Sequence, residues 1–200
     1  MQQRASLVAL RAVAIWVLIM HAGPAALALK DALFLHHETH SFPLKQSIAL
    51  NFFLHDNLLS GPDSSAITVV PPVAGFNSSL QNQSFFGAII VLDDSITYKA
   101  DPSSLELGRG RGFYVWDAMN ITGPGIQFVF TAVFNEASGY GGSSLSFQGH
   151  DVVVDRVREL SITGGTGRFR LARGWATIYT HSLIGGAAIL NITAYIFTGC

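Results

Sequence analysis

Two stretches of the chain, FLHD ending at Asp56 and QGHD ending at Asp151, each finish a run of alternating apolar residues on an acid. Side chains two apart in a strand share a face. Asp56 therefore follows Ile48, Leu50, Phe52 and Leu54, whereas His55 falls with Asn51 on the opposite face. In SSLSFQGHD, Asp151 keeps the parity of Leu145 and Phe147 and leaves His150 with Ser146 and Gln148. A carboxyl group facing an apolar cavity resists ionisation, stays protonated at mild pH and can serve as a general acid. The competing role is structural: an acid that ends its strand, satisfies turn amides and faces water. That both acids show the same parity counts toward chemistry.

Aromatic residues accompany them. In GRGRGFYVWD, Tyr114 and Trp116 share a parity opposite to Phe113 and Val115, which suits either the wall of a cavity for a flat aromatic ligand or ordinary packing. His36, His37 and His40 form an HHxxH cluster, but it lacks a carboxylate in firm spacing and any cysteine nearby, so no metal site is expected. No G-x-S-x-G elbow, H-E-x-x-H or Cys/His pairing supports a hydrolase or zinc enzyme, and no cofactor is expected. The glycine-rich GGTGRFRLARG from Gly164 to Gly174 has neither the P-loop nor the dinucleotide spacing and runs into the strand-like GWATIYTH. It reads as a β-turn or bulge, with Gly164, Gly165 and Gly167 supplying positive φ and close backbone approach. Arg168 and Arg170 alternate with Phe169 and Leu171, which turns their charge to solvent or to a neighbouring subunit.

The elements that must position these residues are strands. Short apolar or alternating runs separated by Gly, Pro, Asn, Asp and Ser predict strands at 46–56, 66–71, 85–92, 111–118, 126–134, 143–153, 159–163, 174–181 and 188–197. Eight or nine strands without covering helices close most simply as a barrel, which removes exposed edges; a two-sheet sandwich is the alternative. In IQFVFTAVF, Ile126, Phe128, Phe130 and Phe134 alternate with Val129 and Val133, so the strand is apolar on both faces. A barrel in water needs one apolar face, and the second predicts burial against another copy of the chain in a homo-oligomer.

At 200 residues, with 49% apolar and 12% charged content, the chain suits one globular domain with a substantial core. The balance of 12 basic against 13 acidic groups gives no polycationic face, which argues against nucleic acid. Arg4 and Arg11 precede an apolar run from Ala12 to Met20 and the small residues Ala26-Leu27-Ala28, the order of a secretory signal. That run is well short of the roughly 20 residues of a spanning helix, so no membrane association is expected after cleavage. The expected organisation is a signal over 1–28, a flexible segment over 29–45 and the barrel domain over 46–200. Without its two signal-borne arginines the chain keeps 10 basic groups and a net charge near −3. Sequons at Asn77, Asn82, Asn120 and Asn191 are glycan candidates behind such a signal, Asn77 and Asn82 best placed in a polar loop. Cys200 is the one cysteine, so no internal disulfide is possible.

The order of motifs resembles one family, the plant dirigent proteins. It is carried by LNFFLHD with SGP behind it, VLDDSIT, GRGRGFYVWD, FVFTAVFNEASGYGGSSLSFQGHD and ELSITGGTGRFRLARGWATIYT, together most of residues 48–197. The resemblance implies an all-β, single-domain fold, an eight-stranded antiparallel β-barrel that is secreted to the cell wall space, glycosylated and assembled as a trimer or dimer. It implies a guide for coupling phenoxy radicals, such as those of coniferyl alcohol, into an optically active lignan like pinoresinol. The radicals would come from an external laccase or peroxidase, because the family has no oxidising centre. Residue by residue, Asp56 and Asp151 match the family's pocket acids, Arg158 its pocket arginine and Tyr114 its cavity tyrosine. Trp116 stands where some members carry a tyrosine, and Ser47 lies near the position where disulfide-bearing members place the partner of a terminal cysteine. With the chain ending at Cys200, no fused lectin domain is expected. The implied mechanism is positioning of two radicals, then ring closure of a quinone methide. Asp56 and Asp151 would do acid/base work, and Arg158 would hold a carboxylate or a developing oxyanion. The same family contains intramolecular quinone-methide cyclases or dehydratases of the pterocarpan-synthase kind, and an organiser of lignin or defence-related deposition is a third role. One fold hosts many roles, so a generic small-molecule-binding barrel stays open beside these.

Overall fold

The computed structural model describes residues 46–59, 61–72, 85–119 and 124–198. The expected signal, the segment over 29–45 with its histidine cluster, the sequons at Asn77, Asn82 and Asn120, and Cys200 lie outside them. Nine strands follow one another: β1 Gln46–Asn57, β2 Ala66–Val70, β3 Ile89–Thr97, β4 Glu106–Trp116, β5 Gly125–Phe134, β6 Ser144–Val152, β7 Arg158–Thr166, β8 Arg173–Ile184 and β9 Ala187–Thr198. Single 3-10 turns occupy Glu136–Ser138 and Gly167–Phe169. All pairings are antiparallel, and the order β1-β9-β8-β7-β6-β5-β4-β3 closes through a further β1–β3 pairing. Eight strands therefore form the barrel, and β2 hydrogen-bonds to the first part of β3 beyond the point where β1 leaves it.

The expected alternation is clearest on β3 and β5, whereas β2 is exposed beyond Ala66. On β5, Ile126, Phe128, Phe130, Ala132 and Phe134 are all buried while the residues between them are not. These inward rows fill one end of the barrel with rings. Phe130 stacks on Phe147 at 4.6 Å between centroids and on Phe128 at 4.8 Å, and Phe52 meets Phe147 edge-on at 6.2 Å. Edge-to-face and offset stacking suit the aromatic quadrupole and add to what area burial alone contributes. Gly112 makes room for this layer: opposite Phe130 in the ladder, it holds a place where a Cβ would fall 2.1 Å from the Val129 carbonyl oxygen.

Three sequence expectations change in detail. The strand expected at 85–92 is β3 Ile89–Thr97, because Asp93 and Asp94 continue the ladder instead of ending it. The strand expected at 111–118 begins earlier, at Glu106, since GRGRG is not a turn but a strand paired on both sides, to β3 and to β5. A register shift between β6 and β7 skips Thr163, just ahead of GGTGRF, and β7 runs on through Gly164 and Gly165 to Thr166; of the three named glycines only Gly167 takes a positive φ, at 58°. Gly165 is there for close approach instead, 2.6 Å separating its Cβ position from the Ser144 carbonyl oxygen. Phe169 is wholly buried, and Leu171, itself at φ 64°, points to solvent.

On the outside, Trp175 stacks on Tyr195 at 5.3 Å and lies against Phe197, giving β8 and β9 an aromatic outer patch whose first two members are each 38% exposed. Packing at Gly112 makes a sharp prediction. Gly112→Ala forces a methyl into backbone and is expected to cost about 1–3 kcal/mol, as overpacked cores do. Thermal unfolding followed by circular dichroism checks this, and an unchanged midpoint would contradict the described β4–β5 contact.

Candidate functional site

The end of the barrel away from the stacked rings is open. Here β1, β4, β6 and β8 finish, β5, β7 and β9 begin, and their last inward residues surround a cavity of about 670 Å³. Its wall is mainly apolar, with Ile90, Ile126, Phe128 and Leu190 at depth and Phe85 lying tilted against Trp116 at 4.9 Å near the rim. Asp56, Tyr114, Trp116, Asp151 and Arg158 all line it. The structure thus gathers into one cavity the five residues that parity and resemblance had singled out from four different strands. The bases their parity excluded are outside: His55 bonds Thr97 at 2.7 Å, and His150 pairs with Asp117 at 3.3 Å.

Asp151 and Arg158 are a buried ion pair. Asp151 ends the inward row of β6 and Arg158 opens that of β7, 2% and 6% exposed respectively, with Arg158 Nε 3.1 Å from Asp151 Oδ1. The N–H does not point along that line, so the contact is ionic rather than a formed hydrogen bond. The guanidinium is fixed from its other side, where Nη1 donates to Thr180 Oγ1 at 2.7 Å and to the Val153 carbonyl at 3.1 Å. Burial raises the Asp151 carboxyl above its ordinary value, and Arg158 opposes that shift by favouring the anion.

Asp56 has a different setting. Among the described residues no cation pairs with it; burial pushes its carboxyl up to about 6, and the Tyr114 hydroxyl, donating to it, pulls back only partly. Burial first, and then the Asp56 and Asp94 carboxyls beside it, keep the Tyr114 phenol well above its ordinary value, so it stays a neutral donor. Asp56 Oδ1 is buried with no hydrogen-bond partner among the described residues. Two acids in one cavity are thereby differentiated, one beside a cation and one beside a phenol and apolar wall. Environments that push two titratable groups apart are how a site acquires separate acid and base roles.

Two further residues belong to the site and were not picked out from sequence. Thr180 shares the parity of the buried Ala176 and Ile178 on β8 and anchors Arg158. Asp94 shares the parity of Leu92 and Ile96 in VLDDSIT and is fully buried behind Asp56. The same parity rule that found Asp56 would have found Asp94, had the Asp-Asp pair not looked like a turn. Among the described residues no cluster of His, Cys, Asp and Glu could hold a metal ion, and no helix is long and apolar enough to cross a membrane. Of the sequons, Asn191 sits on the outer face of β9, its Oδ1 accepting from Asn51 Nδ2 at 2.6 Å.

A closed antiparallel barrel with one apolar, acid-bearing pocket at its mouth defines the class. The particular family follows from direct comparison: a family model described as Dirigent-like protein matches residues 47–197. The chain is 37% identical to Dirigent protein 1 of Arabidopsis thaliana over 74% of its own length and 77% of that protein's. It is 31% identical to Pterocarpan synthase 1 of Glycyrrhiza echinata, over 74% and 76%. Among solved structures it superposes on the pterocarpan synthase dirigent protein PsPTS1 with a TM-score of 0.68 and 28% identity, covering 78% of this chain and 97% of that one. The chain belongs to the dirigent family.

The buried ion pair yields a test. Arg158→Met leaves Asp151 buried without its cation, and breaking such a pair typically costs about 3–5 kcal/mol. A carboxyl whose folded pKa lies above its unfolded one favours folding at low pH and loses that contribution as pH rises through the folded value. The variant's deficit is therefore expected to be larger at pH 7 than at pH 5. Urea unfolding at both pH values checks it, and a deficit independent of pH would mean that Asp151 is not the group left uncompensated.

Proposed function

We propose that the protein is a stereoselective guide: it holds two phenylpropanoid radicals, such as those of coniferyl alcohol, in the barrel mouth and fixes the face on which they couple. The observation that carries this reading is the differentiated acid pair in a single apolar cavity. Its volume lies within the range of pockets that bury a drug-sized ligand, the size of a joined pair of phenylpropanoid units. Holding two reactive partners in a fixed mutual orientation replaces a random encounter, which is how positioning alone gives both rate and facial preference.

Coupling leaves a quinone methide, and the pocket's acids suit its closure. In this reading Asp56, with no cation beside it, donates a proton to the quinone methide carbonyl oxygen, while Asp151, stabilised as the anion by Arg158, accepts the proton of the attacking hydroxyl. Arg158 also offers positive charge to an oxyanion that develops as the ring forms. The Tyr114 hydroxyl and the Trp116 face would orient a phenolic ring. One-electron oxidation is left to a separate laccase or peroxidase. Secretion into the cell wall space, with glycans on sequons such as Asn77 and Asn82, is the setting that the amino-terminal pattern supports.

A second reading has an observation of its own. The superposition on pterocarpan synthase dirigent proteins and the similarity to pterocarpan synthases favour an intramolecular cyclase or dehydratase, in which one substrate loses water to a quinone methide and closes upon itself. The two differ in whether turnover needs an added oxidant. With coniferyl alcohol and laccase, the guide is expected to give lignan of one predominant hand, and Asp56→Asn or Asp151→Asn to lose most of that excess while folding normally. Racemic product from the unaltered protein, together with oxidant-free turnover of an isoflavanol alcohol, would replace the first reading by the second.

The aromatic patch of Trp175, Tyr195 and Phe197 supports assembly as a homo-oligomer, since a large apolar outer face is stabilised by covering. Sedimentation velocity at micromolar concentration is expected to show a dimer or trimer. A monomer under those conditions would end this assignment.

A further inference from the structure

Asp94 takes no part in the chemistry just described, yet it is the most deeply buried acid of the described residues, at 0% exposure. Its position explains why. β1 and β3 pair over only three residues, Phe53↔Thr97, Leu54↔Ile96 and His55↔Ser95. Continuing that register by one residue sets Asp56 against Asp94, at the point where β1 diverges and β2 takes over the edge of β3.

Ser65 closes the gap. Its backbone N–H donates to the Asn57 carbonyl at 3.0 Å, its hydroxyl oxygen accepts from the Asn57 N–H at 3.0 Å, and its O–H donates to Asp94 Oδ1 at 2.6 Å. One oxygen of Asp94 is thereby satisfied. The other, Oδ2, is buried with no hydrogen-bond partner among the described residues, and so is Asp56 Oδ1. Two carboxylate oxygens cannot bond each other, because both only accept; one proton between them satisfies both. A buried polar atom left unpaired costs about 1–3 kcal/mol, so two such atoms at adjoining register positions are a strong incentive to retain that proton.

We infer that Asp94 is a positioning residue for Asp56: the two carboxyl groups meet across the β1–β3 seam and share one proton, so that Asp94 sets when Asp56 can act as an acid. The inference rests on the acid role proposed for Asp56 above. The groups acting on Asp94 are consistent with it. Burial is the largest, the Asp56 charge next, and both raise its carboxyl, to about 8; the Ser65 hydroxyl and Arg109 lower it, and Asp93 raises it slightly further. Tyr114, from β4, faces both acids and is held as the neutral phenol by burial first and by the two acids next.

The consequence is a wider working range. Above the first ionisation of the pair one proton remains, and it can still reach the substrate through Asp56. In that step the Asp56 O–H bond breaks, an O–H bond forms on the substrate oxygen, and the pair is left doubly ionised until a proton from solvent restores it. Such coupled groups titrate in two steps that belong to the pair. Without Asp94, the acid would be spent once Asp56 alone ionises.

Carboxyl carbon NMR of the full chain labelled at aspartate tests this without reference to any substrate. In the unaltered protein the Asp56 and Asp94 signals are each expected to show two steps, near pH 6 and near pH 8. In Asp94→Asn the Asp56 signal is expected to titrate in a single step, and in Asp56→Asn the step of Asp94 moves down by about one unit or more. The alkaline limb of product formation by Asp94→Asn is expected to fall near pH 6 instead of near pH 8, with its acid limb unmoved. Independent single-step titrations in the unaltered protein, or an unmoved alkaline limb in Asp94→Asn, overturn the shared proton. Coupled titration together with an Asp56→Asn variant of full stereoselectivity supports the pair while overturning the acid role it was to serve.

Discussion

The barrel is shut by its shortest ladder, the three residue pairs between β1 and β3, and everything at the mouth depends on how that seam is finished. The other ladders of the barrel run from five residue pairs, between β6 and β7 and between β7 and β8, to twelve between β1 and β9. At the seam, backbone pairing stops early, and side chains complete it: Ser65 tied to Asn57 and to Asp94, and Asp56 standing where the next rung would be. Closing an eight-stranded sheet requires stagger, so one pair of strands inevitably slips past the other. Here that slip occurs at the pocket wall and leaves one carboxyl group, Asp56, lining the cavity and a second, Asp94, fully buried.

Apolar packing at the far end makes this possible. The layer of Phe52, Phe130 and Phe147 blocks the barrel, so the cavity is a blind cup entered from one side. A blind, apolar cup raises the cost of every charge in it, and each charged group there has its own remedy. Asp151 has Arg158, which in turn has Thr180 and the Val153 carbonyl. Asp56 has Tyr114 and the neighbouring acid, and these favour a retained proton over a bare anion. The chemical asymmetry of the site follows from which strand brought a cation and which did not.

How much of this was legible in the sequence differs from residue to residue. Asp56 and Asp151 could be assigned to the inner face because strand geometry has a fixed period of two, and a parity once set by Leu54 or Phe147 carries to the next residue of the row, whereas Tyr114, in a run apolar on both parities, was pointed to by the motif resemblance. Arg158 could not be found that way, for it starts its strand after a loop that erases the count; the motif resemblance pointed to it. Asp94 was legible by parity but masked by its neighbour, since Asp-Asp reads as a turn and only pairing with β4 shows that it is not. The glycines of GRGRG misled for the same reason: glycine marks turns, but Gly112 is required inside a strand because the backbone of β5 at Val129 and Phe130 passes where its Cβ would stand.

The sequence by itself determined the all-β class, the face of residues in rows with a clear apolar parity, and the presence of acids in those rows, because all three are local and periodic properties. Only the tertiary structure decided which strands meet. That choice puts Arg158 against Asp151, Tyr114 against Asp56 and Asp94 behind it, pairs separated by up to dozens of residues in the chain. The reason is physical: a strand's period specifies orientation, whereas register and closure are settled by how the whole set of side chains fills one barrel.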